Sequence, residues 1–576
     1  MENLAIGRII EVDGPRIVAE LQPSIVELSR VHGGELYPIG QFGSIVKVHC
    51  GRQLLFGYVG RLRMKSDFEI ERGIFVPSRE PQTRVLEIDL FGEGEWTFNT
   101  ALSPPSWNLS FERGVSTFPL PQQSVYLTPK DELAFVYGSG GESTIAIGEH
   151  VGSGGAPCHA DMNELLGKHT AVLGSTGSGK SATVAVLLHK MLERGESKQL
   201  DSWHPRIILL DPHNEYGCAF PTHRRLSTDE GTLILPYWTL NLQETVSLLI
   251  GKTDRVATSQ SNIVKTALVS ARHAGISGTG LGVEQINVDS PTPYHWEKFI
   301  ESVEAQRPPG RDKKEQEPFN SVLNKLEVLR CDPRMDFMMA NWQGNDDPIS
   351  SIIEQFVGVG NPMRIVDLSG IRNEVAGLAS AVIARVLFSF KLWQTQDERE
   401  ADPVLLVCEE AHRYVPNRGE AQYEDAQEAI RRIAKEGRKY GLGLMLVSQR
   451  PSDVEATVLS QCNSWIVLRI TNDADRDHVK AILPDSLAGL TKVLSGLRRR
   501  EAIFVGQAVM LPSRILMEKL DKSKLPRSHD IDFDKGWRNL PQTASQICDV
   551  ARRWRTQNRD GSRATRAAQI LPNDPF

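Results

Sequence analysis

The chain has 576 residues, with 40% hydrophobic and 24% charged side chains and a formal net charge of −6. A chain of this length is expected to form more than one domain, and its composition is ordinary for a globular protein. The negative balance excludes an overall attraction to nucleic acid, so such a site would be a local patch or a surface formed on assembly. No uninterrupted apolar run approaches 18 residues, which predicts that no segment spans a membrane.

The cysteines and the first residues predict a cytoplasmic protein. Seven cysteines are scattered along the chain without a C-x-x-C pair. This pattern indicates reduced thiols and argues against a zinc site or a disulfide framework. The sequence MENLAIGRII lacks the charged and apolar regions of a signal peptide.

Strand and helix signals follow one another in five segments. Short alternating stretches such as GSIVKVHC indicate a small β-barrel or sandwich, and a glycine-rich stretch at 137–157 is predicted to be a connector. Buried strands alternating with helices then predict a largely parallel α/β sheet. The predicted segments are a barrel and linker (1–150), the first part of the α/β core (151–240), a helical insertion (241–350), the second part of the core (351–515) and a basic tail or lid (516–576).

A strand, a glycine-rich turn and a helix follow one another in AVLGSTGSGKSATVAV, residues 171–186. The turn fits G-x-x-x-x-G-K-[ST], in which glycines let N–H groups converge on an anion at the positive end of a helix. Lys180 is predicted to reach the β- and γ-phosphates, and the Ser181 hydroxyl to bind Mg²⁺. A glycine-rich turn with a chance lysine is the alternative, which the strand–loop–helix context disfavours. The predicted nucleotide ligands are Gly174, Thr176, Gly177, Ser178, Gly179, Lys180, Ser181 and Ala182.

Two carboxylates follow the apolar segment VLLVC, residues 404–408. Carboxylates at the carboxyl end of a strand project where α/β sheets bind ligands. We assign Glu409 to the Mg²⁺ shell, through water, and Glu410 to polarising the attacking water. The usual pair is Asp-Glu, so the longer Glu409 side chain shifts the geometry by one methylene. The alternative is two carboxylates on a solvated strand end.

A further apolar segment, LGLMLVS, residues 442–448, is followed by Gln449. A glutamine at that place can touch the γ-phosphate or the lytic water and report the loss of the phosphate. Alternatively, Gln449 is only a turn residue. Together these motifs predict ATP and Mg²⁺ as cofactors.

These segments together resemble the HerA branch of the HerA–FtsK group of ring-forming DNA translocases. The matching motifs occur in the family's order across residues 145 to 515, and they are KHTAVLGSTGSGKS, ILLDPHNEYG, IVDLSG, LLVCEEAHRYVP, RRIAKEGRKYGLGLMLVSQRPSDV and EAIFVGQAVMLP. The resemblance implies a RecA-like P-loop ATPase core with an N-terminal small β-barrel. It also implies a homohexamer with ATP between subunits, double-stranded DNA in a central channel, and a partner effector. Such effectors are a NurA-like nuclease, a sirtuin-type NAD hydrolase or another nuclease, the last two in phage defence.

The resemblance also assigns roles residue by residue. Lys180, Ser181, Glu409, Glu410 and Gln449 match the family's catalytic set. Asp211, in DPHNEY, matches a strand-end acid near the site, and Asn214 stands where the commoner motif has glycine.

A trans-acting cation from the neighbouring subunit is a further implication of the resemblance. Lys168 occupies the family's basic position before the phosphate-loop strand, but lysine lacks the forked donors of arginine. Arg438 is the preferred candidate, with Arg431 and Arg432 as alternatives. Each of these arginines could instead belong to a solvated helix face.

Basic residues concentrate after the acidic pair, where they could grip DNA phosphates without reading sequence. They are Arg413, Arg418, Arg431, Arg432, Lys435, Arg438, Lys439 and Arg450. The polar stretch 416–428 is predicted to be a mobile loop lining the channel. A C-terminal arginine cluster could bind DNA, cover a neighbouring nucleotide or form a disordered tail. It comprises Arg552, Arg553, Arg555, Arg559, Arg563 and Arg566.

The leading hypothesis is an ATP-driven hexameric DNA translocase that feeds or activates a partner effector in DNA end processing or anti-phage defence. An alternative is a nucleotide-gated platform that assembles and activates a partner enzyme with little movement on DNA. A conjugation-type coupling ATPase is a third possibility, weakened by the lack of a predicted membrane span and by the N-terminal barrel.

Overall fold

The computed structural model divides into two compact units. Unit 1 comprises Met1–Lys198, Gln449–Pro451 and Cys462–Leu520, and unit 2 comprises Gln199–Ser448, Ser452–Gln461 and Asp521–Phe576. The five segments drawn from the sequence follow other boundaries and stay a prediction. The described residues are 4–25, 27–41, 43–73, 83–99, 106–138, 141–151, 155–200, 202–250, 257–276, 279–309, 313–339, 342, 347–371, 373–417, 424–482, 493–527 and 532–556.

Unit 1 begins with the predicted small β-barrel. Its strands and helices are β1 (Ala5–Asp13), β2 (Arg16–Leu21), β3 (Ser29–His32), β4 (Glu35–Pro38), β5 (Ile45–Cys50), β6 (Gln53–Met64), α1 (Lys65–Glu71), β7 (Arg84–Asn99), β8 (Ser106–Arg113), β9 (Ser124–Leu127) and α2 (Lys130–Tyr137). Six strands close in the order β2-β1-β9-β5-β6-β7, because β7 also pairs with β2. Inward apolar side chains such as Ile9, Val48 and Leu86 fill the interior, as in other small barrels.

The phosphate-loop segment of unit 1 follows the barrel. Its elements are β10 (Thr144–His150), β11 (Pro157–Asp161), α3 (Met162–Gly167), β12 (Thr170–Leu173), α4 (Lys180–Leu192) and α5 (Arg194–Ser197). The predicted connector at 137–157 therefore contains a strand. Its segment TIAIGEH buries Ile145, Ile147 and His150, so the glycines around it do not prevent sheet formation.

Unit 2 contains a five-stranded parallel sheet. Its strands are β13 (Ile207–Asp211), β14 (Arg224–Ser227), β15 (Met363–Asp367), β16 (Val404–Glu409) and β17 (Leu442–Ser448). They are ordered β17-β16-β13-β15-β14, and each pairing is parallel. Every residue of β13, β15, β16 and β17 is buried, which explains their continuous apolar runs.

Helices follow the strands of unit 2, and the first four of them lie within residues 241–350, where a helical insertion is predicted. They are α6 (Leu242–Ile250), α7 (Ala257–Ala274), α8 (Trp296–Ala305), α9 (Lys313–Cys331), α10 (Ile349–Val357), α11 (Asn373–Trp393), α12 (Gln396–Ala401), α13 (Glu424–Glu436) and α14 (Ala456–Leu459). Arg385 of α11 holds the insertion through both carboxylate oxygens of Glu244, at 2.7 and 2.8 Å. The first residues of α13 lie within 416–428, so that part of the predicted loop is helical, while 418–423 lie outside the described residues.

Among the described residues, one helix is long and apolar enough to cross a membrane by length and composition. It is the stretch Val375–Trp393 of α11, with a mean hydropathy of 1.7. Charged residues such as Arg385 interrupt it, so it contains no uninterrupted apolar run of that length. Because 72% of the stretch is buried inside the protein, it has the character of a core helix.

The last strands return to unit 1. They are β18 (Ser464–Leu468), β19 (Glu501–Gly506) and β20 (Ser513–Met517), with α15 (Asp473–Ile482) between the first two. They form the order β11-β10-β20-β19-β18-β12, in which only the β12–β18 pairing is parallel. The expectation of a largely parallel sheet is therefore wrong for unit 1, because β19 and β20 are joined by a short turn that permits only antiparallel pairing. Two exposed helices end the described chain, α16 (Phe533–Trp537) and α17 (Ala544–Thr556).

Candidate functional site

The phosphate loop joins β12 to α4 and has the backbone that its glycines permit. Gly177 and Gly179 have φ angles of +75° and +101°. Such angles are strained for residues with a side chain, which explains glycine at both positions. A Cβ atom on Gly174 would approach the Leu468 Cβ atom to 2.8 Å, so this glycine allows β18 to lie close.

Neighbouring segments of unit 1 hold the loop from two sides. The Ser175 N–H donates to the Arg469 carbonyl at 2.9 Å, just after β18. The Arg500 N–H donates to the Ser178 carbonyl at 3.1 Å, just before β19. The loop conformation therefore depends on segments that lie far along the chain.

The predicted phosphate ligands Lys180, Ser181 and Ala182 form the first turn of α4. Lys180 is the first helical residue and is buried, with 6% of its surface exposed. The N–H groups at the start of a helix lack intrahelical partners and attract anions. The structure thus places all the residues from Gly174 to Ala182 at one end of one helix in unit 1, an arrangement suited to a polyphosphate.

Gln449 belongs to unit 1 and contacts the phosphate loop directly. The Thr176 hydroxyl donates to the Gln449 Oε1 atom at 2.5 Å. A side chain bound to the loop is placed to respond when a nucleotide phosphate competes for the same hydroxyl. The sensing role and the alternative of a simple turn residue are both compatible with this contact, so the role stays a prediction.

In unit 2, a row of carboxylates lies at the carboxyl ends of three adjacent parallel strands. Asp211 ends β13, Asp367 ends β15 and Glu409 ends β16. Asp211 and Asp367 are partners in register, and at most 2% of any of the three is exposed. Burial, with a smaller contribution from the nearby Asp367 charge, raises the pKa of Asp211 to about 6 against the opposing effect of backbone N–H donors. The carboxylate oxygens at this edge of the sheet are hard ligands of the kind that Mg²⁺ prefers.

Tyr216 is a buried contact of this row that sequence reasoning missed. Its hydroxyl donates to the Glu409 Oε2 atom at 3.1 Å. The residue ends the motif DPHNEY, in which only the aspartate had an assigned role. Its position five residues after the end of β13 gave no sign of a contact with a carboxylate 193 positions away.

Glu410 lies at the turn that follows β16. Its φ angle of +53° is uncommon for a residue with a side chain and lies in the left-handed region. Its Oε2 atom lies 3.3 Å from the His412 Nδ1 atom, which is 3.5 Å from the Ser448 hydroxyl. The predicted water-polarising carboxylate therefore lies beside His412, at the turn where β16 ends.

The candidate trans-acting cations differ in their local contacts. Lys168 binds Glu164 at 2.7 Å and Gln507 at 2.6 Å, and Arg431 binds Glu455 at 2.7 Å. Arg432 lies 4.4 Å from the centroid of the Phe388 ring and 3.9 Å from Glu436.

Arg438 differs from the other three candidates. It lies in the turn Gly437–Tyr440 and is exposed. Within the ranges that the structure describes, its guanidinium has neither a hydrogen bond nor an ion pair. It is therefore the candidate best able to reach another molecule.

The predicted metal ligands suit Mg²⁺ in chemistry. The Ser181 hydroxyl and the Glu409 carboxylate offer hard oxygen atoms, which Mg²⁺ prefers. No group of three or more His, Cys, Asp or Glu side chains could hold a metal ion in the described part of the chain. Mg²⁺ commonly arrives with nucleotide phosphates, keeps several waters and uses one or two protein oxygens, so these residues fit it.

Part of the predicted basic surface is visible in unit 2. The exposed cations on α13 and in the turn after it are Arg432, Lys435, Arg438 and Lys439. Arg413 is half-buried and Arg450 is exposed. Arg418, Arg559, Arg563 and Arg566 lie outside the described residues, whereas Arg552, Arg553 and Arg555 lie on the exposed helix α17.

Known proteins match this chain over most of its length. The family model described as "Helicase HerA, central domain" matches residues 145–387. The DNA double-strand break repair helicase HerA of Sulfolobus acidocaldarius is 28% identical over 438 residues, covering 75% of this chain and 80% of that protein. The protein of the same description from Pyrococcus furiosus is 27% identical over 427 residues, which cover 68% of this chain and 72% of that protein. Among solved structures, VirB4 of Thermoanaerobacter pseudethanolicus is similar with a TM-score of 0.48 and 16% identity. The match covers 66% of this chain and 98% of the VirB4 chain.

The matched region contains the phosphate loop, the row of acids up to Asp367 and most of α11. The matches to the HerA proteins extend beyond that region and cover at least two thirds of both chains. Residues 145–387 therefore match the HerA central domain, and most of the chain is similar to HerA helicases.

Proposed function

We propose that this protein is an ATP-driven translocase and helicase on double-stranded DNA that works as a homohexamer. The observation that carries the proposal is the phosphate loop, clamped by Arg469 and Arg500 and bound by Gln449. Relatives described as DNA double-strand break repair helicases support DNA as the track. We further propose a cytoplasmic location, which the seven free thiols support.

The residues of unit 1 bind and sense the nucleotide in this proposal. Lys180 and the N–H groups of the loop neutralise the phosphates. Ser181 and, through water, Glu409 would hold Mg²⁺, which when bound would supply positive charge against the phosphates. Gln449 exchanges its bond with Thr176 for one with the γ-phosphate or the water that attacks it. After hydrolysis Gln449 loses the γ-phosphate as a partner, so its conformation depends on whether the phosphate is present.

The residues of unit 2 perform the hydrolytic step. Glu410 orients and polarises the attacking water, and Glu409 faces the hydrated metal. Arg438 extends from one subunit to the γ-phosphate of its neighbour and stabilises the transition state. The exposed and unpaired state of its guanidinium supports this role over those of Lys168, Arg431 and Arg432.

The exposed cations on α13 and the turn after it grip DNA. Arg432, Lys435 and Lys439 present positive charge on one surface of unit 2. Contacts with phosphates are independent of sequence and weaken with salt, as a motor that moves along any DNA requires. Six copies of this surface would give a ring a basic channel despite the net charge of −6 on each chain.

A partner effector completes the proposed function. We propose that the motor feeds or activates a nuclease or an NAD hydrolase in DNA end processing or anti-phage defence. A second candidate is a nucleotide-gated platform that assembles such an enzyme with little movement on DNA. Both candidates require the protein to respond to bound nucleotide. The hydrogen bond between Thr176 and Gln449 supports such a response, because it connects the phosphate loop to a residue outside the loop.

ATP turnover with and without linear duplex DNA tests the proposal. Stimulation by DNA that falls with added salt is expected for a motor that grips phosphates. Lys180→Ala should abolish turnover because the γ-phosphate loses its charge clamp. Near-normal turnover in Lys180→Ala would contradict the site assignment, and turnover indifferent to DNA would favour the platform.

A matched pair of variants tests the DNA surface. Lys435→Ala with Lys439→Ala should lower DNA-stimulated turnover and reduce the salt dependence of DNA binding by about one unit of log–log slope per lost phosphate contact. Lys190→Ala is the control: Lys190 lies on α4 and pairs with Glu518, and its loss should leave the salt dependence unchanged. An equal loss in both would show that the α13 surface has no special role.

A further inference from the structure

The contact between Tyr216 and Glu409 gives Tyr216 a role that the proposed reaction does not assign. The Tyr216 ring is fully buried, and its hydroxyl lies 3.1 Å from the Glu409 Oε2 atom. Only 2% of Glu409 is exposed. A buried hydrogen bond to a carboxylate is among the stronger protein hydrogen bonds, because its acceptor is charged and little water competes for it.

The turn after β13 fixes the backbone of Tyr216. The Tyr216 N–H donates to the Asp211 Oδ2 atom at 2.9 Å, and the His213 N–H donates to the Asp211 Oδ1 atom at 3.2 Å. The Leu368 N–H donates to the Asp211 carbonyl at 3.0 Å, which ties the same residue to β15. Asp211 therefore acts as the anchor of a turn whose last residue is Tyr216.

Asn214 lets the chain reverse within that turn. Its φ angle is +55°, in the left-handed region that asparagine tolerates better than most residues with side chains. The reversal brings the Tyr216 ring back beneath the sheet edge that holds Glu409. Asparagine in place of the glycine in DPHGEY is thus compatible with the conformation, and it leaves fewer backbone alternatives in the unfolded chain.

We propose that Tyr216 is a positioning residue that orients the Glu409 carboxylate toward the hydrated Mg²⁺ of the bound nucleotide. A carboxylate is planar, so a bond that fixes its Oε2 atom also fixes the direction of its Oε1 atom. Without the Tyr216 hydroxyl, the last torsion of Glu409 loses one restraint, and terminal carboxylate torsions have shallow minima. Two hydrogen bonds, from the Tyr216 N–H to Asp211 and from the Tyr216 hydroxyl to Glu409, then link the end of β13 to the end of β16.

The longer side chain of Glu409 explains why such a support is needed here. An aspartate at the strand end has one torsion fewer to restrain than a glutamate. The hydroxyl of Tyr216 compensates for that additional freedom. Residues that orient a metal ligand in this way typically change metal affinity or activity by about 10- to 100-fold when they are replaced. This inference rests on the nucleotide-binding function proposed above.

Tyr216→Phe tests the inference because it removes one oxygen and keeps the ring. The first readout is binding of ADP by titration calorimetry as a function of Mg²⁺ concentration, which needs no turnover. We expect the Mg²⁺ concentration for half-maximal enhancement of ADP binding to rise about tenfold or more. Binding of ADP in the absence of Mg²⁺ should stay as in the unaltered protein. An unchanged Mg²⁺ dependence would overturn the inference.

Tyr414→Phe is the matched control in the same region. Tyr414 is 2% exposed, and its hydroxyl has no hydrogen-bond partner among the residues that the structure describes. The same oxygen is removed from an equally buried ring, but no carboxylate loses a donor. Tyr414→Phe should therefore leave the Mg²⁺ dependence unchanged, and an equal shift in both variants would show that the effect is general loss of a buried hydroxyl.

A double-mutant cycle separates positioning from a general effect on folding. Glu409→Gln should weaken the Mg²⁺ dependence, and adding Tyr216→Phe to it should produce no further shift. Additive shifts would overturn the inference, because they would show that Tyr216 acts independently of Glu409. If ADP binds in a Mg²⁺-dependent manner but DNA fails to stimulate turnover, the motor proposal fails while the Tyr216 inference still stands on its own readout.

Discussion

Replacement of Gly179 by alanine tests whether the phosphate loop must hold the backbone seen here. Gly179 has a φ angle of +101°, beyond the left-handed region that residues with side chains occupy. A residue with a side chain held at such an angle costs about 1–3 kcal/mol. A Cβ atom would also lie 3.3 Å from the Arg500 nitrogen, which donates to the Ser178 carbonyl.

Displacing that nitrogen weakens a hydrogen bond worth about 0.5–1.5 kcal/mol. The total cost of Gly179→Ala is therefore about 1.5–4.5 kcal/mol. If ATP binds only the native loop, this cost appears as roughly 10- to 1,600-fold weaker ATP binding. The overall fold should survive, because the strain is confined to one loop.

Gly177→Ala provides the comparison on the same loop. Its φ angle is +75°, and no heavy atom of the described residues lies within 4 Å of the position of an added Cβ atom. Only the backbone cost of about 1–2 kcal/mol applies, so ATP binding should weaken roughly 5- to 30-fold. Equilibrium titration with a fluorescent ATP analogue measures both variants, with thermal unfolding as a check of folding. The reasoning is refuted if Gly179→Ala binds ATP no more weakly than Gly177→Ala.

Three further changes test the catalytic assignments and one buried histidine. Glu410→Gln should retain ATP binding and slow hydrolysis by about two or more orders of magnitude, whereas loss of ATP binding would indicate a structural role. Arg438→Ala should be inactive alone, and mixing it with Lys180→Ala should restore part of the turnover if Arg438 acts on a neighbouring subunit; no recovery would exclude action in trans. Burial lowers the pKa of His150 to about 3 from 6.5, so the unfolded chain binds a proton first and stability falls as the pH drops below 6.5. Between pH 7.5 and 5 the loss is about 2 kcal/mol, and His150→Phe, which keeps a ring stacked on Tyr137, should reduce this dependence in urea titrations; an unchanged dependence would contradict the assignment.

Local sequence patterns predicted the elements that carry the site. The phosphate loop is contiguous, and its spacing alone predicts a strand, a turn and a helix, as found for β12 and α4. Glu409 likewise ends the buried strand β16. Such features depend on neighbours within a few residues, so a single sequence contains the information.

Contacts between distant residues could not be predicted in the same way. Lys168 binds Gln507, which lies 339 positions away, and Arg431 binds Glu455, which lies 24 positions away. Nothing local in the sequence marks the partner of either cation. Tyr216 was missed for the same reason. The antiparallel part of the sheet in unit 1 also depends on which strands meet, and apolar runs do not encode that choice.

The pairing of β12 with β18 has a consequence for the newly made protein. Thr170 and Ser464 are partners in register, so the strand that precedes the phosphate loop meets this neighbour only after roughly 290 further residues have been made. At about 5–20 residues per second, a ribosome needs about 15–60 seconds for that stretch. Arg469 and Arg500, which clamp the loop, emerge later still. The nascent chain therefore remains unable to hold ATP until its synthesis is almost complete, which confines nucleotide-dependent assembly to finished molecules.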